Sequence, residues 1–276
     1  MKNKKARINQ IYLLFFFLCN LSYIHAQDQN TLKVILDADT GNEVDDFYAL
    51  ARALAEPSWD IICLNAAQWQ ASQWAIPETM ENSHRLNQVI LGEMKMDIKT
   101  RRGGVNRMFD WGDMAQHSAA AYEIIKQCQK LENDKKLNIV ALGALTNVAS
   151  AIYIDSTIAS KIRLYWLGTT YDFEKDIFKR QDFNCMMDPQ ALEIVLMSEV
   201  EMHVMPVNVA AAMVLNYDET SNSLPSNSNL SRLLLDRWYQ HLDGGRKERT
   251  IWDLALIQAM LFPAWTEKVN ITTSKD

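Results

Sequence analysis

The stretch Val34-Ile35-Leu36-Asp37-Ala38-Asp39-Thr40-Gly41-Asn42-Glu43-Val44-Asp45-Asp46 runs an aliphatic segment into four aspartates, one glutamate and one glycine. Lys33–Leu36 reads as a buried strand, and Phe47-Tyr48-Ala49-Leu50-Ala51-Arg52-Ala53-Leu54 reads as a helix with an apolar face. The acids therefore occupy a strand-to-helix turn, where Gly41 supplies the backbone freedom a tight turn needs. In an open α/β sheet such a turn lies at the carboxyl edge of the strand, where ligands bind. Carboxylates packed this closely repel one another, so at least one should hold its proton unusually well unless a divalent cation removes the conflict. A hard cation with oxygen ligands fits best. Asp45 as a helix cap and Asp46 as a complement to the helix dipole are the plainer roles, but they leave Asp37 and Asp39 unexplained.

Working outward, Asp60–Asn65, Leu137–Leu142, Ile162–Leu167 and Met202–Val207 read as further strands. Glu78–Ile90, Met114–Leu131, Val148–Ile154, Arg232–Leu242 and Ile251–Leu261 read as helices, with Asp188 an N-cap before Pro189 in the first helical position. Residues 97–113 and 173–184 read as irregular, the first a loop that could cover a site, and Asn222–Asn229 as a polar loop. Strands alternating with helices at this spacing imply an α/β fold: an open, mostly parallel, Rossmann-like sheet with helices on both faces. Asp39, Gln68, Thr146, Gly168 and Asn208 each fall just past the carboxyl end of a strand, so one crevice should collect them.

A chain of 276 residues, 48% hydrophobic and 22% charged, can bury one large core, and a single domain over residues 27–276 is expected. The net charge of −6 gives no reason to expect nucleic acid or an anionic membrane surface as partner. Residues 1–26 read as a signal peptide: a basic start at Met1–Arg7, an apolar Ile11–Leu18 too short to span a bilayer, and a small residue at Ala26 before Gln27. The mature protein is then periplasmic or secreted. It keeps Cys63, Cys128 and Cys185, whose apolar contexts suit buried free thiols better than a bridge.

At this point the residues resemble the inosine–uridine preferring nucleoside hydrolase family. The opening D-x-D-x-G…D-D signature stands here as Asp37-Ala38-Asp39-Thr40-Gly41 and Asp45-Asp46, with Asn42-Glu43-Val44 where the family usually has one residue. Gly143-Ala144-Leu145-Thr146-Asn147 is similar to its G-P-L-T-N turn, Asp182-Phe183-Asn184 to E-F-N, Asp188-Pro189-Gln190-Ala191 to D-P-x-A, and Trp252-Asp253 to a late H-D pair. The resemblance implies a calcium-dependent hydrolase of ribonucleosides. Asp39, Asp46, Asp253 and the carbonyl of Thr146 would hold calcium, and Asp39 would be the general base toward a metal-activated water. Asp45 would bind a ribose hydroxyl, Asp182 and Asn184 the sugar's other end, and Gln68 stands near where a family asparagine contacts the sugar. Carboxylates suit an oxocarbenium-like transition state, which needs electron-rich neighbours and an activated water.

Trp252 replaces a histidine able to protonate the departing base, and indole has no proton to give at usable pH. Its ring could instead stack on the base, or simply pack beside a helix start. His84, His117, His203 and His241 remain as other proton sources. Two rival readings are open. One is a catalytically weak or inactive secreted binding protein, motivated by the missing histidine and the few residues after Asp253. The other is a D-x-D phosphohydrolase with Asp37 as nucleophile, which Gly41 and the Asp45-Asp46 pair fit poorly. The partner implied is a small nucleoside, with no membrane once the leader is removed; a homo-oligomer is compatible with the sequence.

Overall fold

The computed structural model describes residues 31–109, 114–132 and 134–271; the leader 1–26 and Asp110-Trp111-Gly112 of the expected loop lie outside the described residues. Its centre is a sheet of six parallel strands: β1 (Leu32–Ala38), β2 (Trp59–Ala66), β3 (Lys99–Arg101), β4 (Leu137–Ala141), β5 (Ile162–Leu167) and β8 (Glu201–Met205). They lie in the order β3-β2-β1-β4-β5-β8. From β1 the chain first builds outward through β2 and β3, then returns to build the other way from β4. The gap between β1 and β4 is thus the point where strand order reverses, and a crevice opens there at the carboxyl edge.

Side-chain alternation along β1 explains why both faces are covered. Val34, Leu36 and Ala38 join a core formed with helices α1 (Asp45–Leu54), α2 (Thr79–Glu93), α9 (Asn229–Gln240) and α10 (Trp252–Leu261). Ile35 points the other way, into a core with α3 (Ala119–Gln129), α4 (Thr146–Ile154) and α6 (Pro189–Leu196). A parallel strand buried on both faces reads as an unbroken apolar run, which is what Val34–Leu36 is. Short α5 (Phe183–Met187), α7 (Val207–Ala210) and α8 (Tyr217–Ser223) fill the connections.

The structure departs from expectation where local pattern is weak. The stretch 97–113 contains edge strand β3, held through pairing to β2 rather than by its own apolar content. Two antiparallel pairs were not legible: β6 (Thr170–Asp172) with β7 (Ile177–Lys179), and β9 (Val214–Asn216) with β10 (Glu248–Thr250). The helix expected from Met114 begins only at Ala119, because the Ser118 hydroxyl caps it by accepting from Ala121 N at 3.1 Å. The strand expected to reach Val207 ends at Met205, since Pro206 has no N–H to give a ladder. Asp188 does cap α6, accepting from Ala191 N at 3.0 Å, with Pro189 in the first turn. Cys63, Cys128 and Cys185 are free and buried, and burial pushes the first two thiols up to about 12.

Candidate active site

β1 delivers Asp39 to the crevice and then turns back through Thr40–Val44 into α1. Gly41 takes φ +93°, and any side chain there would strike Leu86 of α2. Thr40 Oγ1 donates to Asn87 Oδ1 at 2.6 Å, and Asn87 Nδ2 donates to the Asn65 carbonyl at 3.2 Å, so the turn is fastened to β2 by way of α2. On the other side Gly143 follows β4. A Cβ there would come within 2.8 Å of Asp39 Cγ, so only glycine lets the two strand ends approach this closely.

Asp45 does not cap its own helix: Val44 holds the N-cap position without a side-chain bond. The Asp45 Oδ2 instead accepts from Asp253 N at 3.2 Å, joining the first turns of α1 and α10 across 208 residues of sequence. Asp45, Asp46 and Asp253 each bring one carboxylate oxygen within 4.8 Å of the others, all three buried. Asp39 stands beside them, near enough that its charge helps raise both Asp46 and Asp253. Burial, then mutual repulsion, holds Asp39, Asp46 and Asp253 well above the ordinary carboxylate range. Burial lifts Asp45 to about 6 and Glu43 to about 8, with the Asp45 charge adding to Glu43. Asp39 Oδ2 and Asp46 Oδ1 are buried and have no hydrogen-bond partner among the described residues. Unsatisfied oxygens on crowded acids are what a divalent cation would satisfy, so the residues present fit one.

Several expected contributors lie elsewhere or are already engaged. Thr146 opens α4, just past the carboxyl end of β4. Its hydroxyl donates to Asp188 Oδ2 at 2.6 Å, a bond that leaves the expected role of its carbonyl as a metal ligand untouched. Gln68 is buried and engaged within the chain: its two amide protons go to Thr146 Oγ1 and the Met187 carbonyl, and its oxygen accepts from Gln70 N. Asn184 uses both of its protons on the carbonyls of Leu142 and Leu167, tying together the ends of β4 and β5. Asp182 caps α5 through Oδ1 and leaves Oδ2 buried with no hydrogen-bond partner among the described residues. Asp37 sits inside the sheet, bonded by Asn65 and Asn147, with burial lifting it to about 6. That position does not suit a nucleophile. Asn208 is spent on the backbone of Tyr171 in the β6–β7 hairpin.

Glu43 stands between two clefts. One, of about 230 Å³, is lined by Asn42, Trp74, Arg237 and His241 among others. The second, of about 280 Å³, includes Asp45, Asp243, Arg249 and Trp252. Trp252 is half-buried at the start of α10, with one side against the core. His241 lines both clefts, whereas His84 contacts Thr100, His117 contacts Tyr122 and His203 contacts Glu201. The sequence reading passed over Trp74, whose Nε1 donates to Asn42 Oδ1 at 3.0 Å and whose ring stacks on Phe183 at 5.5 Å. It also passed over Arg237. No local pattern marks either.

The sequence pattern of the family described as "Inosine-uridine preferring nucleoside hydrolase" matches residues 34–275. Uridine nucleosidase 1 of Arabidopsis thaliana is 24% identical over 236 residues, covering 77% of this chain and 69% of its own. Among solved structures, an inosine-guanosine nucleoside hydrolase superposes with a TM-score of 0.62 at 22% identity, covering 84% of this chain and 79% of its own. A purine-preferring ribonucleoside hydrolase from Gardnerella vaginalis does so with a TM-score of 0.64 at 20% identity, covering 84% and 80%. Those superpositions show the fold, and the match across nearly all the described strands and helices shows the lineage: this chain belongs to the inosine-uridine preferring nucleoside hydrolases, a family of N-glycosyl hydrolases.

Proposed function

We propose that the exported protein hydrolyses the N-glycosidic bond of ribonucleosides to free base and ribose, with calcium held by Asp39, Asp46, Asp253 and the carbonyl of Thr146. The observation that carries this reading is the set of buried, mutually repelling carboxylates with orphaned oxygens at the strand-order reversal. Calcium, when bound, supplies orientation of the sugar hydroxyls and a lower pKa for the attacking water. Asp39, with its unpartnered Oδ2, takes the proton from that water. Asp45, fixed by its bond to Asp253 N, presents its remaining oxygen to a ribose hydroxyl. The unpartnered Oδ2 of Asp182 anchors the other end of the sugar, while Asn184 keeps the strand ends in place around it. As the C1′–N bond stretches, positive charge develops on the sugar and this carboxylate wall stabilises it.

Trp252 lines the second cleft beside Asp45, which suits stacking on the base. Such a contact is worth about 1–3 kcal/mol by comparison with base–aromatic contacts elsewhere. Trp252→Ala should raise KM while leaving calcium affinity unchanged. Export is read from residues 1–26, and intact mass of the exported protein should start near Gln27. The deciding experiment is chromatography of free bases released from a nucleoside panel, with and without chelator. Base release that stops on chelation and returns with calcium supports the reading; ligand binding with no base release from any nucleoside sinks it.

A further inference from the structure

Arg237 stands apart from the other arginines around the clefts. Arg246 and Arg249 both reach the Asp243 carboxylate, so each has an acid for a partner. Arg237 is half-buried on α9 and lines the cleft next to Glu43, yet no carboxylate or other hydrogen-bond acceptor pairs with it among the described residues. Its guanidinium lies 5.1 Å over the ring of Phe47, the residue that follows Asp46 on α1. Stacking holds the planar group in place while leaving its N–H donors unspent. A half-buried cation without a partner is costly unless a ligand brings the counter-group.

The turn residues Gly41–Val44 form one wall of this cleft, and Glu43, Val44 and His241 line both it and the cleft of Asp45 and Trp252 where the sugar and base are placed. A lone cation near it suits the other fragment of the same bond. We propose that Arg237 is a catalytic residue on the leaving-group side, donating hydrogen bonds to a carbonyl oxygen of an oxo-base and stabilising the negative charge that gathers there. The proposal rests on the nucleoside-hydrolase reading above. In the step, the oxygen of water bonds to C1′, the C1′–N bond breaks, and its electron pair stays on the base and spreads by conjugation onto the carbonyl oxygen. The proton lost by water passes to Asp39, and solvent protonates the base after it departs. Trp252 cannot give that proton, and burial lowers the pKa of His241, the histidine on the same cleft wall. A guanidinium needs no favourable pH to do its part. The loss of Arg237 should then fall on nucleosides of 6-oxopurines and of pyrimidines and spare those of aminopurines.

The test compares the mature protein with Arg237→Gln and Arg237→Lys on inosine, uridine, adenosine and 4-nitrophenyl β-ribofuranoside, whose leaving group departs as a stable anion without help. Arg237→Gln should lower kcat/KM for inosine and uridine by about 100-fold, the scale of losing one preorganised donor. On adenosine and the nitrophenyl riboside the change should stay within about threefold. Arg237→Lys, which keeps the charge but not the fork, should fall between and serves if the glutamine variant does not fold. Millimolar guanidinium ion should restore inosine cleavage to Arg237→Ala and leave the nitrophenyl rate unchanged. Equal losses on all substrates, or no loss, overturn the role. A preference for nucleoside 5′-monophosphates that vanishes in Arg237→Gln makes Arg237 a phosphate anchor and overturns it too. A wild type that cleaves none of the four compounds overturns the underlying reading itself.

Discussion

The two edges of the central sheet treat the same functional group in opposite ways. At the amino edge, Glu201 opens β8 and meets Arg163 from the start of β5, Lys136 from just before β4, and His203 two residues along its own strand. Those hydrogen bonds, that to Arg163 foremost, pull its carboxyl down to about 2. At the carboxyl edge, Asp39, Asp46 and Asp253 are more deeply buried and have other acids for neighbours, so their carboxyls are driven up. One edge has its charges matched within the chain; the other withholds the match. A buried acid without a cation is unstable on its own terms, and such a cluster marks where a ligand completes the structure.

The sharpest break of this contrast is mutational. Asp46→Asn or Asp253→Asn should cut turnover by on the order of 10³-fold, the scale of a lost preorganised electrostatic group. In chelator the same variants should melt at or above the temperature of the parent, because one repelling charge is gone. If they lose activity and also melt lower in chelator, the acids were structural supports after all.

Chelation of the parent comes next. At a calcium concentration about 100 times Kd, binding to the folded state alone is worth about 2.7 kcal/mol. For a domain of this size that is a fall of about 5–10 °C in Tm when calcium is stripped, read by calorimetry. Glu201→Gln should show the same fall, since its edge takes no part.

A pH series on the metal-free protein separates the edges by sign. Asp37 and Asp45 near 6 and Glu43 near 8 all lie above the values of an unfolded chain. Their contribution is therefore fully present below about pH 4 and is lost as pH climbs through 6 to 8. Glu201 runs the other way: its contribution is present above about pH 4.3 and disappears as pH falls toward 2. Metal-free Tm should decline from pH 5 to 8, and calcium should flatten the decline. A rising or level profile without metal breaks the comparison. The smallest effect is Glu201→Gln at neutral pH, about 1 kcal/mol or less in denaturant unfolding with base release unchanged.

Sequence alone determined the architecture and the acid turn, because both are written in short-range terms: an apolar run that can only be a doubly buried strand, a glycine where φ must be positive, and carboxylates too close to ignore. It also carried the family, through motifs spread from Asp37 to Asp253. Only the tertiary structure decided which polar groups are left over. Thr146 and Gln68 sit at strand ends as expected, yet the hydroxyl of one and the amide of the other are engaged by neighbours, Asp188 and Met187, that lie far along the chain. Arg237 looks like any surface arginine on a helix until Phe47 is found beneath it and no carboxylate paired with it among the described residues. Whether a donor or acceptor is spent depends on partners brought in by packing, over separations such as the 208 residues between Asp45 and Asp253. Local pattern holds no trace of those pairings, because burial and long-range contact set them after the chain has folded.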